Sequence, residues 1–219
     1  MSDVFVRAIA PPYGLPSLLI GKKGAGKTTI VEDLSLKLEA NKVPVVFLQP
    51  DDLDILTLGG GSVLATIKRA TFASLTLAVV NKLSQKDVVY AYSKGAVESV
   101  QQLMKSIGKN VSEIDFEARI PNYTSRPNEV AASIRTNLWG VEKVAYLIID
   151  DIDQIGAPQG VDYPVWLGGL LLGVRKLAGE IPNLKCLVTL TGEPSSFRLN
   201  FFGQFDQVDH FQPLVVEVK

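Results

Sequence analysis

Four residues in the stretch LLIGKKGAGKTTIV have the types and spacing needed to hold a phosphate group. Gly21, Gly26, Lys27 and Thr28 fit the pattern G-x-x-x-x-G-K-[ST] without a mismatch. A backbone that wraps phosphate must turn its N–H groups inward along a close, partly left-handed path, which Gly21, Gly24 and Gly26 permit. Lys27 supplies a point charge for β- and γ-phosphates, and Thr28 offers a hydroxyl to Mg2+. Lys22, Lys23, Ala25 and Thr29 complete the loop around the bound nucleotide. The pattern also needs a particular setting: an apolar strand before it and an amphipathic helix after it, whose positive dipole end faces the anion.

A second group with chemical potential is YLIIDDID, residues 146–153. Four apolar or aromatic residues run into Asp150, which a buried strand would deliver beside the phosphate loop. A carboxylate there suits Mg2+ held through water. Asp151, directly after it, suits the orientation or deprotonation of an attacking water. Asp153 lies further along and reads as solvated or capping. A third group is KCLVTLTG, whose alternation puts Thr189 and Thr191 on one strand face. Thr191, nearer the strand end, is the candidate reader of a γ-phosphate. Arg198, in PSSFRLNFF, is a candidate arginine finger across a subunit boundary. An acidic turn, a β-branched strand pair and a solvated arginine are the plain structural alternatives for these three groups.

The elements that must position these residues are legible as an alternating series. SLLIG at 17–21 reads as a buried parallel strand, and Lys27 to Ala40 as a helix with Ile30, Val31, Leu34 and Leu38 on one face. VPVVFLQP (43–50), VAYLIID (144–150), LKCLVTLTG (184–192) and PLVVEV (213–218) read as further strands. Helical patterns cover about 63–84, 95–107, 128–139 and 164–179. The apolar run VWLGGLLLGV is about half a membrane span and reads as a buried helix. Strands alternating with helices predict an α/β, three-layer fold: a mostly parallel sheet with helices on both faces. About ninety residues separate the second and third strands, so a single domain over 1–219 is expected to carry a mostly helical insertion at about 60–140.

Composition narrows the function classes. The chain has 219 residues, 47% hydrophobic and 21% charged, with a net charge of -1. That balance gives no general attraction to nucleic acid. One cysteine, Cys186, excludes an intrachain disulfide, and one histidine, His210, excludes a histidine-based metal cluster. Residues 1–16 lack a signal-peptide pattern, so a cytoplasmic setting without membrane association is the expectation.

Together, GKKGAGKTT, YLIIDDID and HFQPLVVEV resemble the additional-strand branch of P-loop ATPases, and within it the AAA+ and STAND-type (KAP-like) ATPases. The resemblance covers about half of the chain and leaves out the insertion. It implies ATP and Mg2+ binding, hydrolysis or ATP-gated switching, and assembly as a homo-oligomer or with a partner protein. Lys27 and Thr28 match the phosphate-loop pair, and Asp150 and Asp151 the acidic pair. Two departures stand out. Asp151 replaces the glutamate usual in AAA+ enzymes, which favours a slow switch over a fast motor. Gly192 stands where many STAND proteins carry an arginine.

A rival resemblance is to the MinD/ParA branch, in which Lys22 would be the signature lysine of a nucleotide-bridged dimer. Lys23 replaces a loop glycine of that branch, and the second strand ends in Gln49–Pro50 where the branch has aspartate. NKLS at 81–84 lacks the aspartate of a guanine-reading N-K-x-D motif. A small-molecule kinase and a non-hydrolysing ATP-binding interaction module are the other two readings.

Overall fold

The computed structural model describes residues 15–43, 45–53, 144–157, 159–181, 184–192 and 212–215, together with nine helical residues between 64 and 79. Most of the expected insertion at 60–140, the strand residues 216–218, and Glu193, Arg198 and His210 lie outside the described residues.

Five strands form one parallel sheet: β1 (Ser17–Gly21), β2 (Val45–Leu48), β3 (Ala145–Ile149), β4 (Leu184–Thr191) and β5 (Gln212–Val215). Their spatial order is β2-β3-β4-β1-β5. β4 therefore lies between the strand before the phosphate loop and the strand before the acidic pair. Its register sets Gly21 opposite Thr191 on one side and Ile149 opposite Val188 on the other. The near-continuous apolar runs of β1, β3 and β4 follow from being covered on both faces.

Alternation divides the side chains cleanly. Leu18, Ile20, Val46, Leu48, Leu147, Ile149, Cys186 and Val188 face one apolar cluster; Leu19, Val45, Ile148 and Leu187 face the other. Helix α1 (Lys27–Ala40) covers the second face with Val31, Leu34 and Leu38. Helix α2 (Tyr163–Glu180) and the helical residues at 67, 72, 75, 78 and 79 cover the first. A small parallel sheet with helices on both faces is consistent with an α/β P-loop NTPase-like fold. Each fully buried leucine or isoleucine here contributes about 1.5–3 kcal/mol. Cys186 is one of these core residues, and burial pushes its thiol up to about 12. No helix among the described residues is long and apolar enough to cross a membrane.

The glycines of VWLGGLLLGV have a packing reason that hydrophobic periodicity does not reveal. Gly169 and Gly173 lie one turn apart on α2 and meet the 64–79 helical segment at close range. A Cβ at Gly169 would come within 2.5 Å of Ile67 Cβ, and one at Gly173 within 2.6 Å of Thr71 Cβ and 3.1 Å of the Lys68 carbonyl. Thr71 itself donates its hydroxyl to the Ile67 carbonyl at 2.9 Å. Lys176, further along α2, places its ammonium 4.5 Å from the Phe72 ring centroid.

The contact is testable within one helix. Gly169→Ala and Gly173→Ala should each lower stability in urea denaturation by about 1–3 kcal/mol through overpacking. Gly179→Ala, where a Cβ meets nothing within 4 Å, should be neutral or stabilising by up to about 1 kcal/mol. Equal effects at all three positions would show that the close approach is not what matters.

Candidate functional site

The candidate residues converge at the carboxyl ends of β1, β3 and β4. The phosphate loop leaves β1 at Gly21, which stays in the strand; the left-handed backbone expected of the loop falls at Gly24 (φ 81°) and Gly26 (φ 77°). A Cβ would meet nothing within 4 Å at either position, so conformation and not space calls for glycine there. The Ala25 N–H donates to the Lys22 carbonyl at 3.1 Å, closing the turn. Gly26 then caps α1 through its backbone: its carbonyl accepts from the Ile30 N–H at 3.0 Å, with no side-chain cap and no acidic residue in the first turn. The leading N–H groups and the positive end of the helix dipole are thus left to an anion. Thr28 is half-buried on this first turn, while Lys22, Lys23 and Thr29 are exposed.

Lys27 is only 5% exposed. Its ammonium donates to the Gly21 carbonyl at 3.2 Å, the Lys22 carbonyl at 3.4 Å and the Thr191 hydroxyl at 3.2 Å. All three acceptors are neutral. A buried cation needs an opposite charge to offset desolvation, so this donor set fits an anionic ligand. Gly192, where the STAND resemblance expects arginine, donates its N–H to the Gly21 carbonyl at 3.2 Å.

The acidic turn approaches from β3. Asp150 is 3% exposed, and its Oδ1 accepts from the Thr189 hydroxyl at 2.5 Å. Thr189 Oγ1 in turn accepts the Asp151 N–H at 2.7 Å. Asp151 adopts a left-handed backbone (φ 45°, ψ 44°), which few non-glycine residues adopt, aspartate among them. Its carboxyl is raised above the ordinary value, first by burial and then by the neighbouring Asp150 and Asp153, with Lys27 and Lys23 pulling the other way.

Asp153 corrects the expectation of a solvated or capping residue: its Oδ1 accepts the Thr191 N–H at 3.1 Å. The turn is fastened from below as well, by Tyr163 donating to the Asp153 carbonyl at 3.3 Å and Trp166 donating to the Ile155 carbonyl at 2.9 Å. After β2, Pro50–Asp52 form a 3-10 turn, and the Asp52 carboxylate caps the Gln49 N–H at 2.9 Å. Among the described residues no group of three or more His, Cys, Asp or Glu side chains could by itself hold a metal ion. Mg2+ needs no such group when substrate phosphates complete its shell.

The structure therefore brings together Lys27, Thr191, Asp150 and Asp151 and adds Thr189 and Asp153. Thr189 was visible in the sequence only as a polar residue in an otherwise apolar strand. The strand register that sets it against Asp150 leaves no local signature.

No protein-family model matches the chain, and no curated protein matches it. Among solved structures, it is similar to a chain in the structure of Drosophila ORC bound to GC-rich DNA and Cdc6. That similarity has 15% identity and a TM-score of 0.49, and covers 99% of this chain but 27% of the other. The chain thus spans about a quarter of that protein's length.

Asp151 gives the site a stability signature. Its native carboxyl is raised, so between the unfolded value near 3.8 and the native one the folded state holds the extra proton. Stability falls as pH rises through that window, and the cost persists above it. Asp151→Asn should raise Tm at pH 7 by on the order of a few degrees, and the gain should shrink as pH falls toward 4. A gain independent of pH in thermal melts would place its source elsewhere than the charge.

Proposed function

We propose that the protein is an ATP- and Mg2+-dependent P-loop ATPase of the additional-strand type, resembling AAA+ and STAND ATPases, that acts as a nucleotide switch or assembly ATPase. One observation carries the reading: a buried lysine with only neutral acceptors sits on the phosphate loop and is joined through β4 to a buried aspartate. The sheet order supports the additional-strand branch, since β4 separates β1 from β3.

In this reading the loop from Gly21 to Thr29 holds the phosphates, with Lys27 leaving its neutral acceptors for the β- and γ-phosphates. Thr28 and Asp150 would hold Mg2+, which neutralises phosphate charge when bound. Asp151 would orient water and accept its proton. Its raised carboxyl makes it a stronger base than an ordinary aspartate, while its side chain is one methylene shorter than the usual glutamate, which suits slow turnover. Thr191, already in contact with Lys27, would report on the terminal phosphate. Arg198 as a finger from a neighbouring subunit, a homo-oligomer or protein partner, and a cytoplasmic location complete the proposal.

Lys27→Ala should abolish ATP binding in calorimetry; unchanged affinity would sink the reading. Asp151→Asn should keep ATP affinity within about threefold and lose phosphate release by 100-fold or more, roughly the range of a lost general base. Full turnover in that variant would move the base role elsewhere, Glu193 being the next candidate. No phosphate release from wild-type protein that binds ATP would favour the interaction module. Loss of nucleotide-dependent dimerisation in Lys22→Ala, with monomer binding intact, would favour the MinD/ParA alternative.

A further inference from the structure

Thr189 lies on β4, is fully buried, and belongs to none of the roles assigned above. Its hydroxyl does two things at once: it donates to Asp150 Oδ1 at 2.5 Å and accepts the Asp151 N–H at 2.7 Å. A single hydroxyl can do both only if its proton points at the carboxylate, so the bond to Asp150 is charge-assisted when Asp150 is ionised. The hydroxyl thereby fixes one oxygen of the Asp150 carboxylate from β4. The second bond grips the backbone N–H of Asp151, whose left-handed conformation is strained for a non-glycine residue and persists only where the surroundings hold it.

We propose that Thr189 is the positioning residue of the acidic pair: it fixes the Asp150 carboxylate that would hold the cation, and it holds the Asp151 backbone in the conformation that sets its carboxylate. The inference rests on the reading of this site as a magnesium–nucleotide site. It differs from the proposed role of Thr191, whose hydroxyl accepts from Lys27 and whose N–H goes to Asp153. A hydroxyl one strand away from the cation ligand acts on cation affinity, as outer groups around metal ligands do. Both Thr189 bonds go to the acidic turn, whereas the phosphate loop meets β4 through the Lys27–Thr191 contact.

The test compares affinity for a non-hydrolysable ATP analogue with and without Mg2+, by calorimetry on the full chain. In Thr189→Val, which keeps the shape and removes both bonds, the gain in affinity conferred by Mg2+ should fall by about tenfold or more, while Mg2+-free affinity stays within about threefold. Thr189→Ser, which restores the hydroxyl, should return the Mg2+ gain to within about threefold of wild type. A purely structural role would lower both affinities together, or lower Tm without touching their ratio, and either result overturns the proposal. So does a wild-type Mg2+ gain in a folded Thr189→Val protein. Should the valine variant not fold, hydrogen exchange of the wild-type Asp151 amide decides: slow exchange supports the grip, and exchange at the rate of an open loop overturns it. Wild-type protein that binds no analogue under any condition defeats the site reading itself. A wild-type Mg2+ gain that Thr189→Val leaves intact defeats only the positioning role.

Discussion

The Lys27 ammonium is buried against two carbonyls and a hydroxyl, and the surrounding structure follows from that uncompensated charge. Such a group loses its hydration and gains only dipoles in return. It is tolerable here because the acceptors are fixed: Gly21 is the last residue of a central strand, and Thr191 the last residue of its neighbour. The loop after Gly21 reaches Lys27 through two left-handed glycines, so the helix begins at the lysine. The Coulombic counterpart lies across the strand ends, where Lys27 opposes the upward shift of the Asp151 carboxyl. Lys27 and Asp151 sense each other, and among the described residues they close no ion pair.

That separation depends on β4. In a sheet ordered β2-β3-β4-β1-β5, β4 touches the loop strand on one side and the acidic strand on the other. Its two threonines, two residues apart and on one face, divide the work between those neighbours. Thr191 accepts from Lys27 and gives its N–H to Asp153; Thr189 bonds Asp150 and Asp151. The hydrogen bonds from Lys27 to Thr191 and from Thr191 to Asp153 thus join the phosphate loop to the acidic turn through this strand. Under the proposed function this shared strand would link the nucleotide to the acidic turn.

Much of this was legible in the sequence, for identifiable reasons. SLLIG, the helix from Lys27 to Ala40 and the strand into Asp150 combine strong periodicity with punctuation that admits one interpretation, and the observed bounds agree with them. The second strand is shorter than its apolar run, Val45–Leu48, because Pro50 starts a 3-10 turn and Asp52 folds back to cap it. The role of Asp153 was not legible. Its contact with the Thr191 N–H depends on the tight left-handed turn at Asp151, and nothing in DDID announces that turn. Gly169 and Gly173 were equally opaque: helical spacing marks a buried face, but it does not say that the facing helix approaches closely enough to exclude a methyl group.

The three carboxylates of the acidic turn set the last constraint. Asp150, Asp151 and Asp153 repel one another, and that repulsion contributes to the raised Asp151 carboxyl. Under the proposed function a polyanion arrives at the same strand ends and draws Lys27 toward itself. Asp151 would then lose the moderating charge of Lys27 and face added negative charge at short range. Binding of the nucleotide alone is thus electrostatically opposed at this turn, and a divalent cation between phosphate and Asp150 removes the opposition. The same reasoning explains why a strained, repulsive turn would be kept at the centre of the site. Under the proposed function, its instability in isolation would favour joint binding of cation and nucleotide over binding of either alone.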